Sequence, residues 1–328
     1  MTLRRRRFLQ VTAAAALPLL PRAAGALDYP TRPIKLVLPF PPGGVFDIVG
    51  RPWADKVKTS LGTVIVENLP GAGGSVAAAA VAHARPDGYT ILLGASSIHL
   101  IDMILRKQPL IDPMKELAMA SMLAMTAFAI DVHPALPVHS LTELVAFVKA
   151  NPGKVSYGSP GAGTLAHLGG ELFKSLTGIT DLPHIPYRGA GPALADLIGG
   201  QVPMIVSAMT SQVLEFHRAG KLRLLATTNP TRFTIAPEIP TTAEAGVPGL
   251  VVQQALGLFA PASTPQPIVA QIATANRVAL ADLSYRQSLV EAAVEPLPDW
   301  TTDRFSRFMA EDVKRWTPLV RKLGITID

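Results

Sequence analysis

Residues 34–51 read IKLVLPFPPGGVFDIVGR. An apolar run leads into a turn of three prolines and two glycines, and apolar residues at helical spacing follow. This order predicts a buried strand, a tight loop and the start of a helix. Gly43 and Gly44 lack a Cβ, so their main-chain N–H groups can approach a ligand closely at the positive end of the helix. Ligands of open α/β sheets bind beyond the carboxyl ends of the strands, so we expect a carboxylate here. A plain strand-to-helix turn is the alternative.

The same order of strand, loop and helix recurs along the chain. Residues 63–68 read TVIVEN and predict a strand, and a glycine-rich loop at 70–74 precedes a helix from Ser75 to Ala84 with Ser75 as its N-cap. Another buried strand at 89–94 leads to Ser97. Alternating strands and helices predict a doubly wound α/β sheet, and the carboxyl edge of such a sheet places Ser97 in the cleft.

A second α/β unit follows an apolar stretch at 119–132, which we interpret as a strand or strand pair crossing between two domains. Ser140 and Glu143 form a capping-box pattern at the start of its first helix. The loop GSPGAGT at 158–164 mirrors the opening corner, and a third loop of this kind lies at 187–191. Residues 222–227 predict the return crossing.

The first 26 residues have the features of an export signal. Arg4–Arg7 form a basic region, a modestly apolar stretch follows, and Ala24-Gly25-Ala26 is a small-residue cleavage site. We predict a signal peptide at 1–26, cleaved near Ala26, and a periplasmic location. The run RRRFLQ at 5–10 resembles the twin-arginine export pattern, and an ordinary secretory signal is the alternative.

The remaining composition limits the function classes. The first 26 residues hold five arginines and no acidic residue, so without them the formal net charge falls from +6 to +1. This charge gives no support for nucleic-acid binding. The chain has no cysteine, which excludes disulfides, thiolate metal sites and cysteine nucleophiles. It also lacks the His-Glu-x-x-His and phosphate-loop motifs, so we predict neither a metal nor a cofactor.

Several collinear motifs resemble one protein family over almost the whole chain after residue 26: the extracytoplasmic solute receptors of tripartite tricarboxylate transporters, called Bug receptors. The motifs that carry the resemblance are YPTRPI (29–34), PFPPGG (39–44), PGAGG (70–74), PDGYT (86–90), YGSPG (157–161), HIPYRG (184–189) and GGQV (199–202). The resemblance implies an α/β, two-domain periplasmic binding protein of the Venus flytrap type, with the ligand cleft between its lobes. We place lobe 1 at 27–125 plus 235–328 and lobe 2 at 126–234.

The resemblance and the glycine-rich loops together predict ligand contacts from both lobes. Main-chain N–H groups and hydroxyls would hold a carboxylate, and two aromatic rings would wall the cleft. The predicted ligand-binding residues are Phe40, Pro42, Gly43, Gly44, Asp47, Ser97, Ser159, Gly161, Ala162, Thr164, His167, Tyr187 and Ser207.

Some of these predictions have a structural alternative. Asp47 would accept a hydrogen bond from a ligand ammonium or order a water, or else simply place a negative charge in the first turn of its helix. His167 would contact the ligand, or else make a satisfied polar contact on its helix. Ala255 stands where the family usually has a tryptophan, which would widen the pocket or shift the ligand class.

We therefore expect a monomeric receptor without enzymatic activity. It would bind a small carboxylate- or amide-bearing metabolite, such as an organic acid, and deliver it to the subunits of a membrane transporter. A second reading is a ligand sensor that docks on the outer domain of a sensor kinase. A third is an exported hydrolase that uses Ser159, His167 and Asp196, although no Gly-x-Ser-x-Gly elbow surrounds Ser159.

Overall fold

Strands and helices alternate along residues 28–327, which this computed structural model describes. The predicted signal peptide at 1–26 lies outside the described residues. The strands are β1 Ile34–Leu38, β2 Val64–Asn68, β3 Thr90–Ala95, β4 Leu117–Val132, β5 Tyr157–Ser159, β6 His184–Pro186, β7 Met204–Ala208, β8 Arg223–Thr227, β9 Gln253–Pro261 and β10 Glu295–Pro296. The helices are α1 Val45–Lys56, α2 Lys58–Leu61, α3 Ser75–Ala82, α4 Ser96–Leu100, α5 Pro113–Glu116, α6 Leu141–Ala150, α7 Leu165–Thr177, α8 Ala190–Ile198, α9 Ser211–Arg218, α10 Gln266–Ala281, α11 Leu283–Glu291 and α12 Thr302–Leu323.

The strands form two sheets that share the long strand β4. In lobe 1 the order is β2-β1-β3-β9-β4, and in lobe 2 it is β4-β7-β5-β6. The short strand β10 pairs with the lobe 1 part of β4, and β8 pairs with its lobe 2 part. β1 runs parallel to β2 and β3, and β5 runs parallel to β6 and β7. The chain is therefore a two-lobed α/β protein, as the sequence predicts.

The first crossing between the lobes is β4 itself. Its residues from Leu117 to Ala127 pair antiparallel with β9, and those from Phe128 to Val132 pair with β7 and β8. The apolar stretch predicted at 119–132 thus lies within one 16-residue strand that belongs to both sheets. A single continuous strand gives the lobes a common axis.

The hydroxyl of Thr228 joins β4 to the segment that leads into β9. This hydroxyl accepts a hydrogen bond from the main-chain N–H of Phe128 at 2.9 Å and donates one to the carbonyl of Val252 at 2.7 Å. Nearby, the amide of Gln253 donates to the side-chain oxygen of Asn229 at 2.8 Å. Because Thr228 is buried, its hydroxyl and the groups that it contacts need these partners. We call the segments around Phe128 and Val252 that these bonds join the hinge.

The chain after β8 keeps its contacts with lobe 2. Ala236 and Ile239 pack in a core cluster with Leu197 and Val213 of helices α8 and α9. The main-chain N–H of Val252 then bonds to the carbonyl of Thr228, and β9 begins at the next residue. We propose that the return crossing lies at Val252, later than the boundary of 235 placed from the sequence. The strand at 222–227, predicted as this crossing, is β8 and pairs with β4 within lobe 2.

Helix α12 packs on lobe 1 through the apolar stripe that its sequence shows. Phe305, Met309, Trp316 and Val320 are all buried, so this stripe forms part of the core. The predicted N-cap of α3 is wrong: Gly74 occupies that position in a left-handed conformation, and Ser75 is the first helical residue. Within residues 28–327, no helix has the length and apolar character that a membrane crossing needs.

Candidate functional site

A cavity of about 480 Å³ lies between the two lobes. It is bordered by the loops that follow β1 and β2 in lobe 1 and by the loops that follow β5 and β6 in lobe 2. The carboxyl edges of both parallel sheets therefore face each other across it, where α/β sheets bind ligands. The lining residues are Phe40, Pro41, Pro70, Gly71, Ala72, Gly73, Pro160, Gly161, Ala162, Tyr187, Arg188 and Ile327.

The lobes approach each other at the rim of this cavity. Gly73 of lobe 1 lies beside the carbonyl of Ala162 in lobe 2, where an added Cβ would sit 3.5 Å from that oxygen. Gly189 of lobe 2 lies against the ring of Pro41, and an added Cβ would come within 3.1 Å of it. A side chain at Gly189 would therefore press on Pro41 of the other lobe. At Gly73 the distance to Ala162 is an ordinary van der Waals contact, and an added Cβ would instead overlap Cδ1 of Ile101.

Four of the predicted residues line the cavity: Phe40, Gly161, Ala162 and Tyr187. Phe40 stacks on Phe46 with ring centroids 5.1 Å apart, which fixes the orientation of the lobe 1 wall. The other predicted residues lie beside the cavity or behind its loops. Their contacts within the chain show what each of them does.

The polar side chains around the first loop bond to one another. The Asp47 carboxylate is 7% exposed and pairs with the Arg51 guanidinium at 2.8 Å, four residues further along α1. The Asn68 amide donates to the carbonyl of Phe40 at 2.8 Å, while its oxygen accepts from Arg51 at 2.9 Å. Asp47, Arg51 and Asn68 therefore form a network of polar contacts that holds the loop after β1 against β2.

The first loop presents main-chain groups rather than side chains. Gly43 has φ +93°, a left-handed conformation that favours glycine, and Gly44 is the N-cap of α1 without a side-chain cap. An added Cβ at either glycine would meet no atom within 4 Å, so both lie in open space, next to the exposed Pro42. Their N–H groups make no hydrogen bond within residues 28–327.

In lobe 2, the predicted hydroxyls bond to the loop that carries them. Ser159 is fully buried, and its Oγ accepts from the N–H of Gly161 at 3.2 Å. Thr164 is the N-cap of α7, and its hydroxyl donates to the carbonyl of Gly161 at 2.8 Å. Both side chains thereby fix the Gly161 peptide, and the N–H of Ala162 remains without a partner in the described chain.

His167 and His184 form a stacked pair below this loop, with ring centroids 4.0 Å apart and planes tilted by 10°. His167 Nδ1 accepts from the N–H of Gly163 at 3.0 Å, and His184 Nε2 lies 2.7 Å from Ser159 Oγ. Burial lowers the pKa of His167 to about 4 and that of His184 to about 3. Both rings are neutral at pH 7, and His167 positions the loop instead of lining the cavity.

Two further predicted serines lie away from the cavity lining. Ser97 is 3% exposed in the first turn of α4. Ser207 of β7 donates to the carboxyl of Asp131 at 3.3 Å. Burial of Asp131 raises the pKa of its carboxyl to about 8. Ala255, the position noted for its missing aromatic ring, is buried in β9, and its N–H bonds to Ser96 Oγ.

The residues proposed for a hydrolase do not form a triad. Ser159 is paired with His184, whereas His167 is occupied by a main-chain N–H. Asp196 accepts from the hydroxyl of Tyr187 at 2.9 Å. Burial, followed by this hydrogen bond, raises the pKa of Tyr187 to about 12. No carboxylate among the described residues bonds to His184, so nothing orients that ring as a general base.

Sequence reasoning missed several residues of the cavity wall. The loop Gly71–Gly73 follows β2 as Gly43 follows β1, so its position after a parallel strand was a usable signal. Arg188 follows Tyr187 in the third glycine-rich loop, is exposed, and makes no ion pair within the described chain. Ile327 comes from the far end of the sequence and had no signal.

Comparison with known proteins identifies the family. The family model described as "Tripartite tricarboxylate transporter family receptor" matches residues 49–325. BugT of Bordetella pertussis is 36% identical over 315 residues, covering 95% of this chain and 94% of BugT. The solved structure of the periplasmic binding protein BugD has a TM-score of 0.85 at 31% identity and covers 91% of this chain and 99% of its own. That of "R. palustris Rpa4515 with adipate" has a TM-score of 0.86 at 31% identity, with the same two coverages.

The chain therefore belongs to the receptor family of the tripartite tricarboxylate transporters. It is similar to BugT and BugD over nearly their whole length. This confirms the resemblance that the motifs indicate. It is a family of solute-binding receptors with the two-lobed fold described above.

Proposed function

We propose that this protein is an extracytoplasmic receptor that binds a small organic acid between its lobes and delivers it to a tripartite tricarboxylate-type membrane transporter. It would act in the periplasm after export and would bind its ligand without changing it. The predicted signal peptide supports this location. Closure of the lobes about the hinge would bury the ligand. Because the ligand would bind the closed form more tightly than the open form, it would shift the population towards the closed form.

The observation that carries this proposal is the chemistry of the interlobe cavity. Arg188 supplies a guanidinium without an internal carboxylate partner, and the N–H of Ala162 is also free within the described chain. A ligand carboxylate would satisfy both groups, because a guanidinium binds carboxylates through charge-assisted hydrogen bonds. The related R. palustris protein was solved with adipate, a dicarboxylate.

The remaining wall suits the carbon skeleton of such an acid. Phe40, Pro41 and Tyr187 present mainly apolar surface to the cavity. The polar side chains of the loops, including Asp47 and Ser159, are engaged by other parts of the chain. Recognition would therefore combine a few donors with an apolar chamber, which is the usual composition of a small-molecule site.

Isothermal titration of the purified protein with succinate, glutarate and adipate tests the proposal. We expect at least one acid to bind, and Arg188→Gln to weaken it by about 10- to 100-fold, as loss of a charge-assisted hydrogen bond predicts. Arg85→Gln is the matched control, because Arg85 is exposed and lies outside the cavity lining. Equal affinities of the wild type and Arg188→Gln would show that Arg188 does not contact the ligand. If none of the three acids binds the wild type, organic acids are rejected as the ligand class.

A further inference from the structure

The segment after α12 folds back into the cleft between the lobes. The N–H of Ile327 donates to the carbonyl of Leu105 at 2.9 Å, and the N–H of Lys107 donates to the carbonyl of Ile327 at 3.3 Å. These bonds form a parallel bridge between Ile327 and Arg106. The segment 325–327 is therefore fixed to lobe 1 by main-chain pairing, and its position does not depend on side-chain contacts alone.

The side chain of Ile327 reaches lobe 2. It lines the interlobe cavity and packs against Gly163 in the loop that follows β5. A Cβ added to Gly163 would lie 3.2 Å from Cγ1 of Ile327 and would overlap its Cδ1. Gly163 has φ +77°, so glycine meets both the conformational and the steric requirement of this position. Ile327 is thus a contact between lobes as well as part of the chamber wall.

We propose that Ile327 is a specificity-determining residue that selects organic acids with an extended aliphatic body. The inference rests on the proposed function of the cavity. A ligand whose carboxylate pairs with Arg188 would extend across a chamber that also contains Phe40 and Ile327. Longer aliphatic ligands bury more apolar surface against these side chains, so affinity would rise with chain length.

The test compares succinate, glutarate and adipate on the wild type, Ile327→Ala and Thr326→Ala. Thr326 is exposed and absent from the cavity lining, so its variant controls for a change in the same segment. We expect Ile327→Ala to weaken adipate about tenfold and succinate less than about twofold, because it removes apolar surface that only the longer acid reaches. Thr326→Ala would keep the wild-type order.

The outcomes separate the two proposals. If the wild type binds acids and Ile327→Ala weakens all of them equally or not at all, the specificity inference fails and the proposed function stands. If no acid binds the wild type, both fail. Weakening that grows from succinate to adipate supports both.

A second experiment tests the position of Ile327 without any ligand. The chain has no cysteine, so Gly163→Cys combined with Ile327→Cys introduces the only thiol pair. The close contact between Gly163 and Ile327 predicts that mild oxidation yields an interlobe disulfide, seen as a mobility shift that reductant reverses. Gly163→Cys with Thr326→Cys is the control pair and should cross-link far less. Because φ at Gly163 is +77°, both double variants are first compared with the wild type by circular dichroism and thermal unfolding. If the first pair keeps the wild-type fold and forms no more disulfide than the control, Ile327 does not face lobe 2 and the inference is overturned.

Discussion

Replacement of Asp131 by asparagine should change how the stability of the protein depends on pH. Asp131 lies in β4, where it crosses into lobe 2, and its side chain is completely buried. Its carboxyl has one hydrogen bond, from Ser207 at 3.3 Å, and its Oδ1 has no partner within residues 28–327. A charged carboxylate is disfavoured in such surroundings, which is why burial raises its pKa from 3.8 to about 8.

The magnitude follows from this difference in pKa. At pH 7 the unfolded chain would ionise Asp131 and the folded chain would keep it protonated. A pH of 7 lies about three units above the unfolded-state pKa, and each unit corresponds to about 1.4 kcal/mol. Burial of Asp131 therefore lowers the free energy of unfolding at pH 7 by about 4 kcal/mol, as an upper estimate. Between pH 4 and 8 the unfolded state binds fewer protons at this position, so stability falls as pH rises. An asparagine avoids this ionisation, although its unpaired N–H groups cost about 1–3 kcal/mol at every pH.

Urea denaturation at intervals from pH 4 to pH 8 measures the effect as a difference between wild type and Asp131→Asn. We expect the variant to be less stable at pH 4, more stable by about 1–3 kcal/mol at pH 7, and to gain about 4 kcal/mol relative to the wild type over the whole interval. Taking the difference removes the contributions of the histidines. The exposed Asp181, changed to asparagine, is the control. A difference that stays constant with pH would refute a protonated Asp131.

Two further predictions concern His184 in β6 and Thr228 at the hinge. Burial lowers the pKa of His184 to about 3, so the unfolded chain takes up a proton that the folded chain does not as pH falls from 6.5 towards 4. The wild type should therefore lose stability as the pH falls through this window. His184→Phe should lose less stability over the same window in the same denaturation series. Thr228→Val leaves the buried N–H of Phe128 without its acceptor and should lower the free energy of unfolding by about 1–3 kcal/mol at pH 7, whereas an unchanged midpoint would show that water replaces the hydroxyl.

The order of elements could be predicted from the sequence because it depends on local patterns. The run at 34–51 combines an apolar strand, two glycines and a helical repeat, and each is recognised within a few residues. The apolar stretch of β4 lacked helix caps, which indicated a crossing strand. Ser75 was misplaced because Gly74 adopts a left-handed conformation that also starts a helix, and composition does not distinguish the two arrangements.

The direction of the polar side chains could not be predicted with the same certainty. Asp47 and Arg51 are four residues apart, and this helical spacing was a visible sign of an ion pair that would compete with a ligand. Ser159 instead bonds to His184, a partner 25 residues away that only the pairing of β5 with β6 brings close. The position of Ile327 depends on contacts across more than half of the chain, so no local pattern could reveal it.

The residues around the cleft have two different roles: some hold the loops in shape, and others line the cavity. Asp47, Ser159 and His167 hold the loops in shape, because their polar atoms bond to other atoms of the chain. Arg188 and Ile327 line the cavity, and the side chain of neither takes part in those bonds. Under the proposed function, such a scaffold would keep the loops that face the ligand carboxylate, while its few wall residues would set which carbon skeleton fits. The tests of Arg188 and Ile327 therefore address the ligand, and changes to the loop-holding residues would report mainly on the loops.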